Sequence, residues 1–133
     1  MNRSKAREIA FKLLYQSEIQ KQLTNEDVEL FFENNEIEDE EAKEYVIDIV
    51  KGTNNNLENI IDTISKNLKK DWTISRVSKV NLALLKLAIY EIEYKQLPFK
   101  VVINEVVELA KKYGEEASPL FINGILASVV KEN

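Results

Sequence analysis

Between Leu82 and Tyr90 the chain reads LALLKLAIY, apolar on nearly every side once wound at 3.6 residues per turn. Such a helix cannot lie on a surface. It needs a shell of other helices around it, and the sequence supplies them. Val102, Val106, Leu109 and Tyr113 recur at helical spacing up to Gly114, which suits the left-handed residue that ends many helices. After it, Ser118 reads as an N-cap and Pro119 as the first helical residue of a segment carrying Ile122, Ile125, Leu126 and Val129.

The upstream half follows the same logic. A first helix is predicted from about Ser4 to Lys21, burying Ala6, Ile9, Ala10, Leu13, Leu14 and Ser17. A short second one starts after Thr24, with Asp27 completing a variant capping box, Leu23 and Val28 as a staple, and Val28, Phe31 and Phe32 inward. An acidic loop follows. From Ala42 through Tyr45, Val46, Ile49, Thr53, Leu57, Ile60, Ile61 and Ile64 to Leu68 the apolar stripe keeps one phase past Gly52, which predicts a single long helix. Asp71-Trp72-Thr73 reads as a connector into the buried helix. The expected fold is all-α, about seven helices with one very short. At 133 residues this is one domain, its two small bundles (about 1–70 and 71–133) sharing a core.

Composition narrows the chemistry. The chain has no cysteine and no histidine, so zinc and most transition-metal sites, and the commonest acid–base side chain, are missing. No Gly-rich phosphate loop, nucleophile elbow or metal-ligand spacing is present, and Glu91 after Tyr90 lacks a second carboxylate at a defined spacing. The reading is a non-enzyme with no cofactor and no metal. No apolar run approaches the roughly 18 residues of a membrane span, and no secretory signal is visible, which points to a cytoplasmic protein with no membrane partner.

The net charge of −5 argues against nucleic acid until its distribution is considered. Residues 1–12 set Arg3, Lys5, Arg7 and Lys12 against Glu8, a local balance of +3, which leaves −8 for the rest. Much of that acid lies in Glu26–Asp48, crowded most closely in residues 33–44. Local field, acting within a Debye length of about 8 Å, decides whether phosphate is attracted. Helical spacing puts Arg3 with Arg7, and Lys5 with Lys12, along a basic strip that can meet RNA phosphates. A second basic patch is Lys111 and Lys112, near Ser118, whose helix N-terminus has free N–H groups, and Phe121, an aromatic at the border of its helix's core face. Asn104 and Asn123 read as satisfied buried amides or helix-pairing polar groups, and Gly124 as a point of close backbone approach.

The words LAIYE, INEVVELAKKYG and FINGIL, in that order, together with RSKAREIAFKLLYQ at the start, resemble the NusB family of bacterial transcription antitermination factors over almost the whole chain. The resemblance implies that, with the ribosomal small-subunit protein NusE, the chain recognises boxA-type single-stranded RNA in ribosomal RNA leaders and joins the antitermination complex of RNA polymerase with other Nus factors. It implies RNA contacts from Arg3, Lys5, Arg7, Lys12, Lys111 and Phe121, with Ser4 interrupting the basic run. It implies a NusE contact from Tyr15, which lies off the main apolar stripe of its helix and so reads as surface-exposed, and from an exposed side near Asn81 and Lys86, with Asn81 standing where the family often has an acid. A protein-binding helical adaptor without RNA recognition is the alternative, with the acidic residues 33–44 as its working surface. A NusB-like fragment of an RNA methyltransferase is disfavoured, because the chain ends at Asn133. Self-association into a homodimer is left open.

Overall fold

The computed structural model describes residues 1–132. Among them are seven α-helices and no strand: α1 (Arg3–Gln20), α2 (Asn25–Asn34), α3 (Glu40–Asn55), α4 (Leu57–Lys66), α5 (Lys79–Ile89), α6 (Phe99–Tyr113) and α7 (Ser118–Glu132). Local chemistry sets most of their ends. Asn2 caps α1 by accepting the Lys5 N–H at 3.1 Å. Lys21 then stops that helix in a left-handed conformation, its N–H donated to the Ser17 carbonyl at 2.8 Å. The expected capping box of α2 forms in both directions: Asp27 N–H to Thr24 Oγ1 at 3.1 Å, and Thr24 N–H to an Asp27 carboxylate oxygen at 2.9 Å. Asp39 caps α3, and Glu40 and Glu41 in its first turn suit the positive end of the helix dipole.

The all-round apolar segment occupies the middle of the molecule. Every residue of α5 from Leu82 to Ile89 is buried, and the helix touches α1, α3, α4, α6 and α7. Leu84, Leu85 and Leu87 are each fully enclosed, and burying one leucine side chain contributes about 1.5–3 kcal/mol. Beyond Ile89 the helix widens into a π turn, Tyr90–Tyr94, that carries buried Tyr90 and Glu91. Ahead of α5, a short 3₁₀ turn at Ile74–Arg76 follows Asp71, which adopts a positive φ of 76°.

Several expectations need correction. The long helix is two, interrupted at Asn56 and not at Gly52. Asn56 leaves helical geometry (φ −118°, ψ 20°), and its side-chain amide donates to the Gly52 carbonyl at 2.8 Å, a local bond that competes with the helix ladder. Leu57, expected inward, is thereby left exposed. Gly52 lies within α3 because a Cβ there would stand 2.1 Å from the Tyr90 ring. Gly114 is extended (φ −91°, ψ −172°), so its role is room and not handedness. A Cβ would fall 2.6 Å from Ser118 Oγ and 2.8 Å from the Ala110 carbonyl oxygen. Ser118 is buried and accepts the Glu115 N–H at 3.0 Å, tying the α6–α7 turn together. Gly124 has no neighbour within 4 Å of a built Cβ, and Asn104 and Asn123 are exposed, so none of the three has the packing role expected. In α1, Phe11 is buried, while Ile9 and Ser17 are only half-buried.

Candidate nucleic-acid interface

The first turns of α1 and the last turns of α6 lie side by side, and their side chains build an open cleft of about 480 Å³. Lys5, Lys111 and Lys112 are exposed on it, with Ser4, Glu105 and Glu108 between them. Lys5 makes no ion pair with a described residue, and Lys111 is held only by Glu108 one turn back, at 3.2 Å. Arg3 is exposed too, its guanidinium 5.7 Å from the Tyr45 ring centroid. Lys12 and Lys112 approach the Tyr113 ring at 6.0 and 5.3 Å.

One carboxylate organises this edge. Glu8 accepts from Lys112 Nζ at 2.7 Å and from the Tyr113 hydroxyl at 2.5 Å. These two hydrogen bonds hold its pKa below the usual carboxylate range, and the first raises that of Lys112. The end of α6 is thus pinned to α1, which sets where Lys111 and Lys112 stand relative to Lys5.

Arg7 is not on the exposed strip. At 2 % exposure it is one of the most enclosed side chains in the molecule. Its Nε donates to Glu91 at 2.6 Å, one Nη to the same carboxylate at 3.2 Å, and the other to Glu105 at 2.8 Å. Burial opposes the charge on Arg7, but the Glu91 hydrogen bond and the surrounding carboxylates outweigh it, so the guanidinium is held more firmly charged than usual. The Tyr45 hydroxyl donates to the other Glu91 oxygen at 2.5 Å, and burial followed by that bond pushes the phenol pKa well up. Ser4 Oγ donates to Glu105 at 2.5 Å, so the residue that interrupts the basic run ties this inner network to the rim.

The remaining sequence-derived residues separate. Phe121 is half-buried at the start of α7, its ring centroid 6.0 Å from that of Trp72. Asn81 shares that groove. Lys86, expected on an exposed side, is buried and bonded to Glu18 in a different groove, beside Leu14 and Ser17. Tyr15, expected on the surface, is half-buried and stacked on Phe11 at 6.2 Å. Sequence reasoning missed Glu91 and Glu105 as partners, because their roles come from Arg7 turning inward across more than 80 residues of chain. It also passed over Trp72 and Arg76, whose connector carries no periodicity.

A helical scaffold, with Arg7 and Glu91 buried against each other and lysines turned outward over an open cleft, defines a binding adaptor. Among the described residues no group of three or more His, Asp or Glu side chains could hold a metal, and no helix is long and apolar enough to cross a membrane. The chain belongs to the NusB family, whose model matches residues 4–131. It is similar to the transcription antitermination protein NusB of Acetivibrio thermocellus, 51 % identical over 98 % of this chain and 90 % of that protein. In structure it is similar to T. maritima NusB, with a TM-score of 0.89 and 36 % identity over 100 % of this chain and 93 % of that one. A chain from the crystal structure of antitermination factors NusB and NusE in complex with dsRNA matches with a TM-score of 0.90 and 28 % identity, each chain covered completely. The family is one of transcription factors and not of enzymes.

Proposed function

We propose that this chain acts in the bacterial cytoplasm as an RNA-binding antitermination factor. Together with NusE it holds a boxA-type single strand of nascent RNA and helps RNA polymerase, with other Nus factors, pass terminators in ribosomal RNA operons. The observation that carries the reading is the cleft between α1 and α6, where Lys5, Lys111 and Lys112 stand together at one end of an otherwise acidic protein. Arg3, Lys5, Lys12 and Lys111 supply phosphate contacts and Phe121 an aromatic face. Arg7 takes no phosphate; it positions α1. Tyr15 and the Lys86–Glu18 pair belong to the side that receives NusE. Two modest contacts on one complex multiply through effective concentration, so neither the RNA nor NusE needs to bind tightly alone.

The test is fluorescence anisotropy of a labelled boxA-type RNA titrated with this protein, with and without NusE, against a scrambled RNA. Selective binding that tightens with NusE supports the reading. Equal binding to both RNAs, or none even with NusE, overturns it, and the acidic residues 33–44 become the place to seek a partner.

A further inference from the structure

The cleft that carries the lysines is nearly neutral. Four basic and three acidic residues line it, a balance of +1. Three of the four cations already face a carboxylate: Lys112 Nζ stands 2.7 Å from Glu8, Lys111 Nζ 3.2 Å from Glu108, and an Arg7 Nη 2.8 Å from Glu105. These pairs are built differently. Arg7 belongs to the buried network, and Lys111 with Glu108 is an exposed pair one turn apart on a single helix, which contributes little. Lys112 and Glu8 join two helices, and the pair is lopsided: the lysine side chain is 62 % exposed and the glutamate 22 %. The Tyr113 hydroxyl, at 2.5 Å, fixes the carboxylate, and the Tyr113 ring is itself packed 5.1 Å from that of Phe11. Lys112, on its flexible four-carbon stem, can swing away; Glu8 cannot.

We propose that Glu8 is a built-in rival of the RNA backbone: it holds Lys112 in the place of a phosphate and so limits how tightly the cleft grips any strand. The inference rests on the RNA-binding reading above and adds Glu8 and Lys112 to it, one as a restraint and the other as a cation held in reserve. A carboxylate oxygen 2.7 Å from the ammonium gives it the same charge-assisted hydrogen bond that a phosphate oxygen offers. When a strand enters the cleft, Lys112 has two choices. It stays with Glu8 and contributes nothing, or it turns to a phosphate and leaves Glu8, fixed by Tyr113, as an unmatched anion beside the strand. Either choice costs affinity. Joining α1 to α6 does not by itself require the charge, since a neutral acceptor satisfies the Tyr113 hydroxyl and the Phe11–Tyr113 ring contact remains. The restraint acts on phosphate and is therefore blind to sequence. It weakens the hold on every RNA alike and leaves retention to the base contacts and to NusE.

The test is fluorescence anisotropy of labelled single-stranded RNA 12-mers, one boxA-type and one scrambled, titrated over a range of salt. Glu8→Gln keeps an oxygen for the Tyr113 hydroxyl and removes only the charge. It should bind both RNAs about fivefold more tightly at low salt, the upper end for one partly exposed ion pair. Its slope of log affinity on log salt should steepen by about 0.7 as Lys112 becomes a phosphate ligand. Adding Lys112→Ala to that variant should remove both gains. Urea melts supply the readout that a merely structural role would not separate: Glu8→Gln should be less stable than wild type and yet bind RNA more tightly. Weaker binding by Glu8→Gln, or an unchanged affinity and slope, overturns the inference and leaves the RNA-binding reading standing. Tighter binding that survives Lys112→Ala overturns it as well, because Lys112 then holds nothing in reserve. Absence of RNA binding by both wild type and Glu8→Gln removes both readings.

Discussion

Arg7 and Glu91 form a bidentate ion pair in the interior, 2 % and 1 % exposed, with nitrogen–oxygen distances of 2.6 and 3.2 Å. One residue opens α1 and the other lies in the π turn after α5, so the pair fastens the basic end of the molecule to its central helix. Removing one partner leaves an unmatched buried charge, which costs about 3–5 kcal/mol. Arg7→Ala and Glu91→Gln should therefore each lower the denaturant midpoint sharply, and Arg7→Glu, which sets three carboxylates together, should fail to fold. Arg7→Met combined with Glu91→Leu should lose less than either single change. A double variant as unstable as the sum of the two single changes would show no energetic coupling between Arg7 and Glu91 and refute the pairing.

The same pair shows what the sequence could and could not reveal. The buried α5 was legible because LALLKLAIY has no polar face, and α2 because Thr24 and Asp27 carry their capping chemistry within four residues. Lys5 and Lys111 could be picked out as charges on polar helix faces. Arg7 has the same local pattern as Arg3, and nothing within α1 separates an arginine facing water from one facing Glu91. That distinction is tertiary. Gly52 was legible as a local cost but not as a contact, since the ring it makes room for comes from Tyr90. Asn56 ends α3 through a bond from its own side chain, while the apolar phase continues past it and hides the break.

Gly52 and Gly124 should respond to alanine in opposite directions. Alanine at either position gains about 1 kcal/mol of helix propensity. At Gly52 the new methyl meets the Tyr90 ring at 2.1–2.3 Å, and overpacking of that kind costs typically 1–3 kcal/mol or more. At Gly124 it meets nothing. Thermal melts should place Gly124→Ala a few degrees above wild type and Gly52→Ala below it. Gly52→Ala with Tyr90→Leu should recover part of the loss. Equal shifts at the two sites would refute the close approach of Tyr90 to α3.

Stability should fall at both ends of the pH scale for identifiable reasons. The folded pKa of Glu8 is lowered by Lys112 and Tyr113, so its contribution is present above the ordinary carboxylate value and is lost as pH falls through the lowered one. Tyr90 behaves oppositely. Burial, then its bond to Asp48 at 3.0 Å, raises it to about 12, so its contribution is complete below pH 10 and fades as pH rises towards 12. Urea melts across pH should show a flatter acid limb for Glu8→Gln and a flatter alkaline limb for Tyr90→Phe. Limbs unchanged from wild type would mean that other groups control both ends.

Salt dependence separates cations that meet phosphate from those spent inside the fold. Four phosphate contacts to a single strand, from Arg3, Lys5, Lys12 and Lys111, give a slope of log affinity on log salt of about −2.8. Lys5 and Lys111 face the cleft, and Arg3 stands exposed at the start of the same helix. Lys5→Ala should weaken RNA binding at low salt and move the slope to about −2.1, as should Lys111→Ala. The Arg7→Met, Glu91→Leu variant should leave the slope near the wild-type value, because the guanidinium it removes is already neutralised by Glu91 and Glu105. A slope that drops with Arg7 and not with Lys5 would place the phosphate path on the other side of α1 and remove the lysine cleft from the interface.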